Sequence, residues 1–326
     1  MEILGSTFDD SVFNEAKDRV CVSVTAYNAK VCEDQWFCLS EALDTDDPVE
    51  KQKVNKFRGD LALRQKDYQK AWEAYSSCLP WISDNNLSIR RDILEAMARC
   101  CSRMGQREQA LDLAHILSKE ATNTSHLTSI LLLKVSIHQQ SAALVPKVEC
   151  LQQLCSLLPF NPWHWLGLGQ TCVQLLTERR EAAGLQGGGH TEEAELSEDR
   201  LWLKACTGFI RTRLLLRILR QQQASFVLQR SEKALHTSEE ALQRLNPTES
   251  TVQHLTEVMS EDLVPEKMRE DYQDGESLTS VCLQSFTERW WNKILLITHT
   301  HTHTLRPDEG HMRTESLRLK MLSQHQ

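Results

Sequence analysis

Eleven cysteines and twelve histidines are the side chains of this chain able to ligate a metal, carry a redox couple, or pair as nucleophile and base. Their spacing spells none of these sites. Cys100 and Cys101 are adjacent, Cys150 and Cys155 stand five apart, and no C-x-x-C occurs. Cys78, Cys155 and Cys172 fall instead at small positions of apolar helical stripes, where a thiol behaves as a small hydrophobe, so core or surface thiols are expected. His115, His126, His138 and His164 lie scattered along helical segments without a recurring partner and are expected on the surface or in a groove. The alternating run Thr298-His299-Thr300-His301-Thr302-His303-Thr304 could hold zinc or nickel weakly on an extended chain. A tail made by read-through of a dinucleotide repeat, and therefore disordered, is the preferred reading. Gly187-Gly188-Gly189 could cradle a phosphate, but no strand precedes it and no Gly-Lys-Ser/Thr follows. No strand-to-helix nucleophile elbow is present. The expectation is a protein that is not an enzyme and uses no cofactor and no metal.

Charge offers a second kind of chemistry. Arg213, Arg217 and Arg220 follow i, i+4, i+7 spacing and share a helical face, with Arg211 nearby. One reading is a solvated face paired with acids of the preceding segment. The other is a second basic surface that docks an acidic partner or nucleic acid. The net charge of -8 over 326 residues argues against general nucleic-acid coating, which depends on positive charge to displace counterions. No run of 18 or more apolar residues occurs, and the N-terminus lacks a basic region followed by an apolar one. An intracellular protein, cytoplasmic or nuclear, with no membrane association is expected.

The elements that must position these groups read as helices throughout. Residues Gly59 to Pro80, GDLALRQKDYQKAWEAYSSCLP, read as helix, turn at Gln65-Lys66-Asp67, and second helix, with small Gly59 and Ala71 letting the two approach and Tyr68 and Tyr75 filling the flanks. A second pair follows at about 90 to 118, turning at Met104-Gly105, and a third at about 126 to 158, turning at Ser141-Ala142-Ala143. Trp165, Leu168, Gly169 and Cys172 then open another helix.

These small and aromatic positions resemble the tetratricopeptide repeat. The segments VCEDQWF, KFRGDLALRQKDYQKAWEAYSS, KEATNTSHLT, PFNPWHW and ACTGFIRTRLLL are also similar to a vertebrate family of tetratricopeptide-like proteins named for a chromosome 8 open reading frame. The resemblance implies an all-α, tetratricopeptide-like solenoid of about four helical hairpins. In these terms residues 1–50 are a partly ordered N-terminal cap, 51–176 the repeats, and 177–200 a flexible acidic and Gly-rich insertion. Residues 201–247 are a long helical segment broken near Gln222, 248–293 capping helices whose Trp290 and Trp291 pack back as a C-terminal cap, and 294–326 the disordered tail.

The resemblance also implies a groove lined by the first helix of each pair. Here that means Lys53, Lys56, Asp60, Leu63 and Arg64, then Asp92, Glu95, Arg99, Ser102 and Arg103. The surface is locally positive on an acidic protein, so an acidic peptide or protein segment is the expected ligand, because Arg and Lys make charge-assisted hydrogen bonds to carboxylates. Chaperone-binding members grip a terminal carboxylate with Lys, Asn, Asn, Lys and Arg, where this chain has Lys56, Asp60, Ala96, Ser129 and Leu133. Only the first matches, so a chaperone carboxylate clamp is not expected. The function these readings imply is a protein-interaction scaffold, with a nucleic-acid-associated factor using the Arg211 to Arg220 helix as the alternative.

Overall fold

The computed structural model describes residues 35–186, 192–220, 225–264 and 283–298, which are helical with no strand among them. The helices are α1 Pro48–Arg64, α2 Tyr68–Cys78, α3 Leu87–Arg103, α4 Arg107–Lys119, α5 Thr124–Gln140, α6 Leu144–Leu157, α7 Pro162–Gln186, α8 Glu192–Leu219, α9 Ser225–Leu245 and α10 Glu249–Ser260. A last helix, α11, covers 283–298 and contains a π turn at Thr287–Trp291.

Side-chain caps start several of these helices, though not α4 or α6. The carboxylates of Asp47 and Asp67 accept from the backbone N–H of Val49 and Lys70, and the Asn86 and Asn123 side chains accept from Ile89 and His126. The stops are equally local. Lys66, Gly105 and Ala142 sit at φ 64°, 78° and 51°, and the next N–H in each case returns to a carbonyl of the preceding helix at 2.9 Å (Asp67 to Ala62, Gln106 to Cys101, Ala143 to His138). Three successive helix pairs thus close with the same left-handed turn. Only at Gly105 does the residue type favour it.

Packing then follows from small residues at crossings. A Cβ on Gly59 would stand 2.5 Å from the ring of Tyr75, which is 1% exposed and donates to Asp60 at 2.8 Å. At the α7–α8 crossing, a Cβ on Gly208 would stand 2.8 Å from the backbone of Gly169 and of Trp165. Helix α3 serves two cores. Ile93, Met97 and Cys100 join Ala71, Tyr75 and Cys78 on one side, while Leu94, Ala98 and Cys101 join Ala110, Ala114 and Leu133 on the other. A third and larger core gathers Trp165, Trp202 and Phe209 with Phe286, Trp290 and Trp291 of α11. Trp165 lies edge-on to Trp290 with ring centroids 5.0 Å apart, the favoured geometry for aromatic pairs.

Two expectations need correction. The segment 177–200 is helical over 177–186 and 192–200, where good helix formers extend α7 and α8 and Arg179 and Arg180 reach Ser197 and Glu198 across the pair. Residues 187–191, with the glycine run, lie outside the described residues. At the far end, α11 continues through Ile294, which is 1% exposed in the core, to Thr298. The histidines of the tail lie outside the described residues. So do Phe8 and Phe13 of the N-terminal segment, whereas Trp36 and Phe37 pack on Phe57 of α1, and Arg58 donates to the carbonyls of Phe37 and Leu39 at 2.7 and 2.8 Å.

Candidate functional site

The basic groove residues divide into two groups. In the first, charge is spent within the helix. Lys53 pairs with Glu50 at 2.7 Å, Lys56 with Asp60 at 2.9 Å, and Arg99 donates to Glu95 at 3.0 Å. The Asp60 carboxylate also receives the Tyr75 hydroxyl, and burial together with that bond pushes the Tyr75 phenol well above its ordinary pKa. Asp92 is exposed on α3.

In the second group the charge is open. Arg64 ends α1 and Arg103 ends α3, both exposed and without an ion pair among the described residues. With Arg99 they line a cavity of about 340 Å³ between the ends of α1, α3 and α5. Lys66 of the first turn and Tyr68, the first residue of α2, join them, residues that the repeat frame passes over because they lie outside helix α1; the left-handed turn at Lys66 is what brings them in. Leu63, Leu133 and Ile137 supply apolar wall, and Ser102, Ser136 and Gln140 supply neutral polar groups. Ser102 donates to Gln140 Oε1 at 2.6 Å. No carboxylate lines this cavity.

The positions of the carboxylate-clamp frame are not presented together. Lys56 is held by Asp60, Ser129 donates to the Ser125 carbonyl at 3.1 Å, and Leu133 is 1% exposed in the core.

The second basic surface is corrected more sharply. Arg211 is fully buried: it donates to the carbonyl of Met259, to Asp262 at 2.5 Å and to the Pro159 carbonyl at 3.3 Å, with its guanidinium against Phe160 and Trp165. Burial pulls its pKa down, and the Asp262 charge opposes that shift. Arg213 is half-buried, and Arg217 and Arg220 pair with Glu239 and Glu232 of α9 at 3.1 and 3.7 Å. The strip is thus one structural cation and a set of interhelical pairs, its partners coming from α9 rather than from the preceding segment.

Among the described residues the cysteines other than Cys38 are buried, and of the four histidines singled out above His115 is exposed, His126 half-buried, and His138 and His164 interior. His138 and His164 are 6% and 8% exposed, against the expectation of surface positions, and burial lowers the His164 pKa to about 4. Cys78, Cys100 and Cys150 are buried thiols pushed up to about 11, and Cys172 to about 12, so little thiolate exists at neutral pH. Among the described residues no group of three His, Cys, Asp or Glu side chains is placed to hold a metal ion, and no helix is long and apolar enough to cross a membrane.

Comparison with known proteins gives relatives of the same length class. The chain is 32% identical to "Uncharacterized protein C8orf76" of Homo sapiens, covering 90% of this chain and 93% of the human protein. It is 31% identical to "Uncharacterized protein C8orf76 homolog" of Rattus norvegicus, with 90% and 93% covered. No solved structure matches. A profile described as "Family of unknown function (DUF5588)" matches residues 2–183 and 176–299. With matches that run from the first residues through α11, and relatives alike across nine-tenths of the chain, this protein belongs to the DUF5588 family.

Proposed function

We propose that this protein is a non-enzymatic intracellular scaffold whose helix pairs stack in the tetratricopeptide manner, and that it docks an acidic segment of a protein partner at the ends of α1, α3 and α5. The observation that carries the reading is the cavity lined by Arg64, Lys66, Arg99 and Arg103 with no carboxylate, on a chain of net charge -8. Like-charged residues of a monomer repel, so a cluster of this sign on a protein of the other sign is best stabilised by an anionic ligand. Leu63, half-buried at the edge of the cavity, supplies apolar contact that a purely electrostatic site would lack. Repetition of one turn motif at Lys66, Gly105 and Ala142 supports the repeat reading independently. The burial of Arg211 and the pairing of Arg217 and Arg220 with acids of α9 favour the groove over a nucleic-acid reading of that helix.

The test is affinity capture with the full chain against a variant carrying Arg64→Glu, Arg99→Glu and Arg103→Glu, with unchanged helical circular dichroism as the control for folding. The variant is expected to lose the partners that the parent retains, and acidic segments of those partners, made as peptides, should bind the parent alone. Retention of the same partners by both proteins refutes the groove.

A further inference from the structure

The charge balance of this cavity identifies its ligand more closely. We infer that it receives a phosphorylated serine or threonine on an extended segment of the protein partner, which rests on the groove reading and narrows it from acidic segments in general to one dianionic group. Four cations line the cavity: Arg64, Lys66, Arg99 and Arg103. Glu95 takes the charge of Arg99. Helices α1, α3 and α5 all end here, and each C-terminus contributes roughly half a negative charge, which cations in a last turn ordinarily offset. What remains after both deductions is about one and a half positive charges. A single carboxylate leaves part of that excess unmatched. A phosphomonoester, at about -1.5 to -2 near neutral pH, matches it.

Donor geometry points the same way. The guanidinium groups of Arg64 and Arg103 make no ion pair among the described residues, and such planar forks pair with phosphoryl oxygens two bonds at a time. Tyr68 of α2 and Ser136 and Gln140 of α5 add neutral donor groups from two elements. A phosphoryl group has three terminal oxygens to share among them, one more than a carboxylate. The half-buried Leu63 at the edge of the cavity suits the methylene of the phosphorylated side chain. A phosphorylated lipid headgroup is a poorer match, because a chain of net charge -8 is repelled by the anionic bilayer that carries it.

The experiment titrates the full-length protein by fluorescence anisotropy with three degenerate peptide libraries whose fixed central position is phosphoserine, serine, or a glutamate pair. Flotation with vesicles containing a phosphoinositide monoester runs alongside. The phosphoserine library should half-saturate at least tenfold below the glutamate library, the serine library should not bind, and vesicles should not float the protein. Arg64→Gln with Arg103→Gln should abolish the binding. Arg64→Lys with Arg103→Lys, which keeps the charge and loses the fork, should keep weak binding and lose the preference for phosphate over glutamate. Equal binding of the phosphoserine and glutamate libraries through the same arginines overturns the phosphate assignment and leaves the groove standing. Binding to none of the libraries by folded protein overturns both. Binding only to vesicles, or undiminished phosphopeptide binding by the Gln variant, overturns the assignment as well.

Discussion

Replacing Arg211 with Met removes a buried cation while keeping an unbranched apolar stem against Phe160 and Trp165. The loss is read from its partners. The Pro159 carbonyl keeps a donor, since Trp165 Nε1 reaches it at 2.8 Å. The Met259 carbonyl, in the last turn of α10, loses its donor, and an unmet buried carbonyl costs about 1–3 kcal/mol. Asp262 loses one of two cations, keeping Arg289 at 3.1 Å, while being only 13% exposed itself. Relief of the guanidinium's desolvation offsets part of this, so the net falls near the roughly 3–5 kcal/mol seen when one member of a buried pair is removed. At about 2–4 °C per kcal/mol for a domain of a few hundred residues, the unfolding midpoint should drop by roughly 10 °C in a thermal melt followed by circular dichroism. Asp262→Asn, which disarms both arginines, should drop it at least as far. A midpoint within about 2 °C of the parent for Arg211→Met would show that α10 is not held through this residue.

Gly208→Ala places a methyl 2.8 Å from the backbone of the facing helix, where no side chain can give way, and should destabilise by about 3 kcal/mol or prevent folding, measured by urea denaturation. Ala142→Gly should do the reverse, raising stability by about 0.5–1 kcal/mol in the same assay, because a left-handed residue gains when its Cβ is removed. The His164 pKa is lowered from 6.5 to about 4 by burial, so the folded state binds fewer protons. Its contribution is intact above the unfolded pKa and declines as pH falls from 6.5 toward 4, by up to about 3 kcal/mol. His164→Leu should flatten stability against pH in that window, and an unchanged slope would exclude the residue as its source.

Much of the helical frame was legible because its punctuation is local. The turns at Gln65-Lys66-Asp67, at Gly105 and at Ser141-Ala142-Ala143 are marked by residues that interrupt an apolar period, and the stripe of Trp165, Leu168 and Cys172 is fully buried. What was not legible depends on distant chain. Nothing near Arg211 reveals that Asp262, 51 residues on, will meet it in the interior, so its spacing with Arg213 and Arg217 reads as one exposed strip. The same holds for His138 and His164, whose burial is decided by neighbouring helices. The acid-rich composition of 177–200 suggested loop, yet its Glu, Ala, Leu and Arg content is good helix material once a partner helix lies alongside. At the groove, the residue types identified the sign of the charge but not which cations were already matched. That sorting required seeing Glu50, Asp60 and Glu95 one turn away from Lys53, Lys56 and Arg99.

The double duty of α3 has a consequence for how the molecule loses its structure. Neighbouring residues of this helix, Ile93 with Leu94, Met97 with Ala98, and Cys100 with Cys101, face opposite cores. Melting α3 therefore exposes both at once, and neither of the first two helix pairs can open through it without charging the other for the loss. Exchange of amide protons in α3 should accordingly require the largest cooperative opening in this half of the chain, while α1 and the turn at Lys66, which border the groove, can exchange through smaller ones. The proposed groove thus joins a readily fluctuating edge, at α1 and the turn at Lys66, to the helix that is last to yield, which carries Arg99 and Arg103.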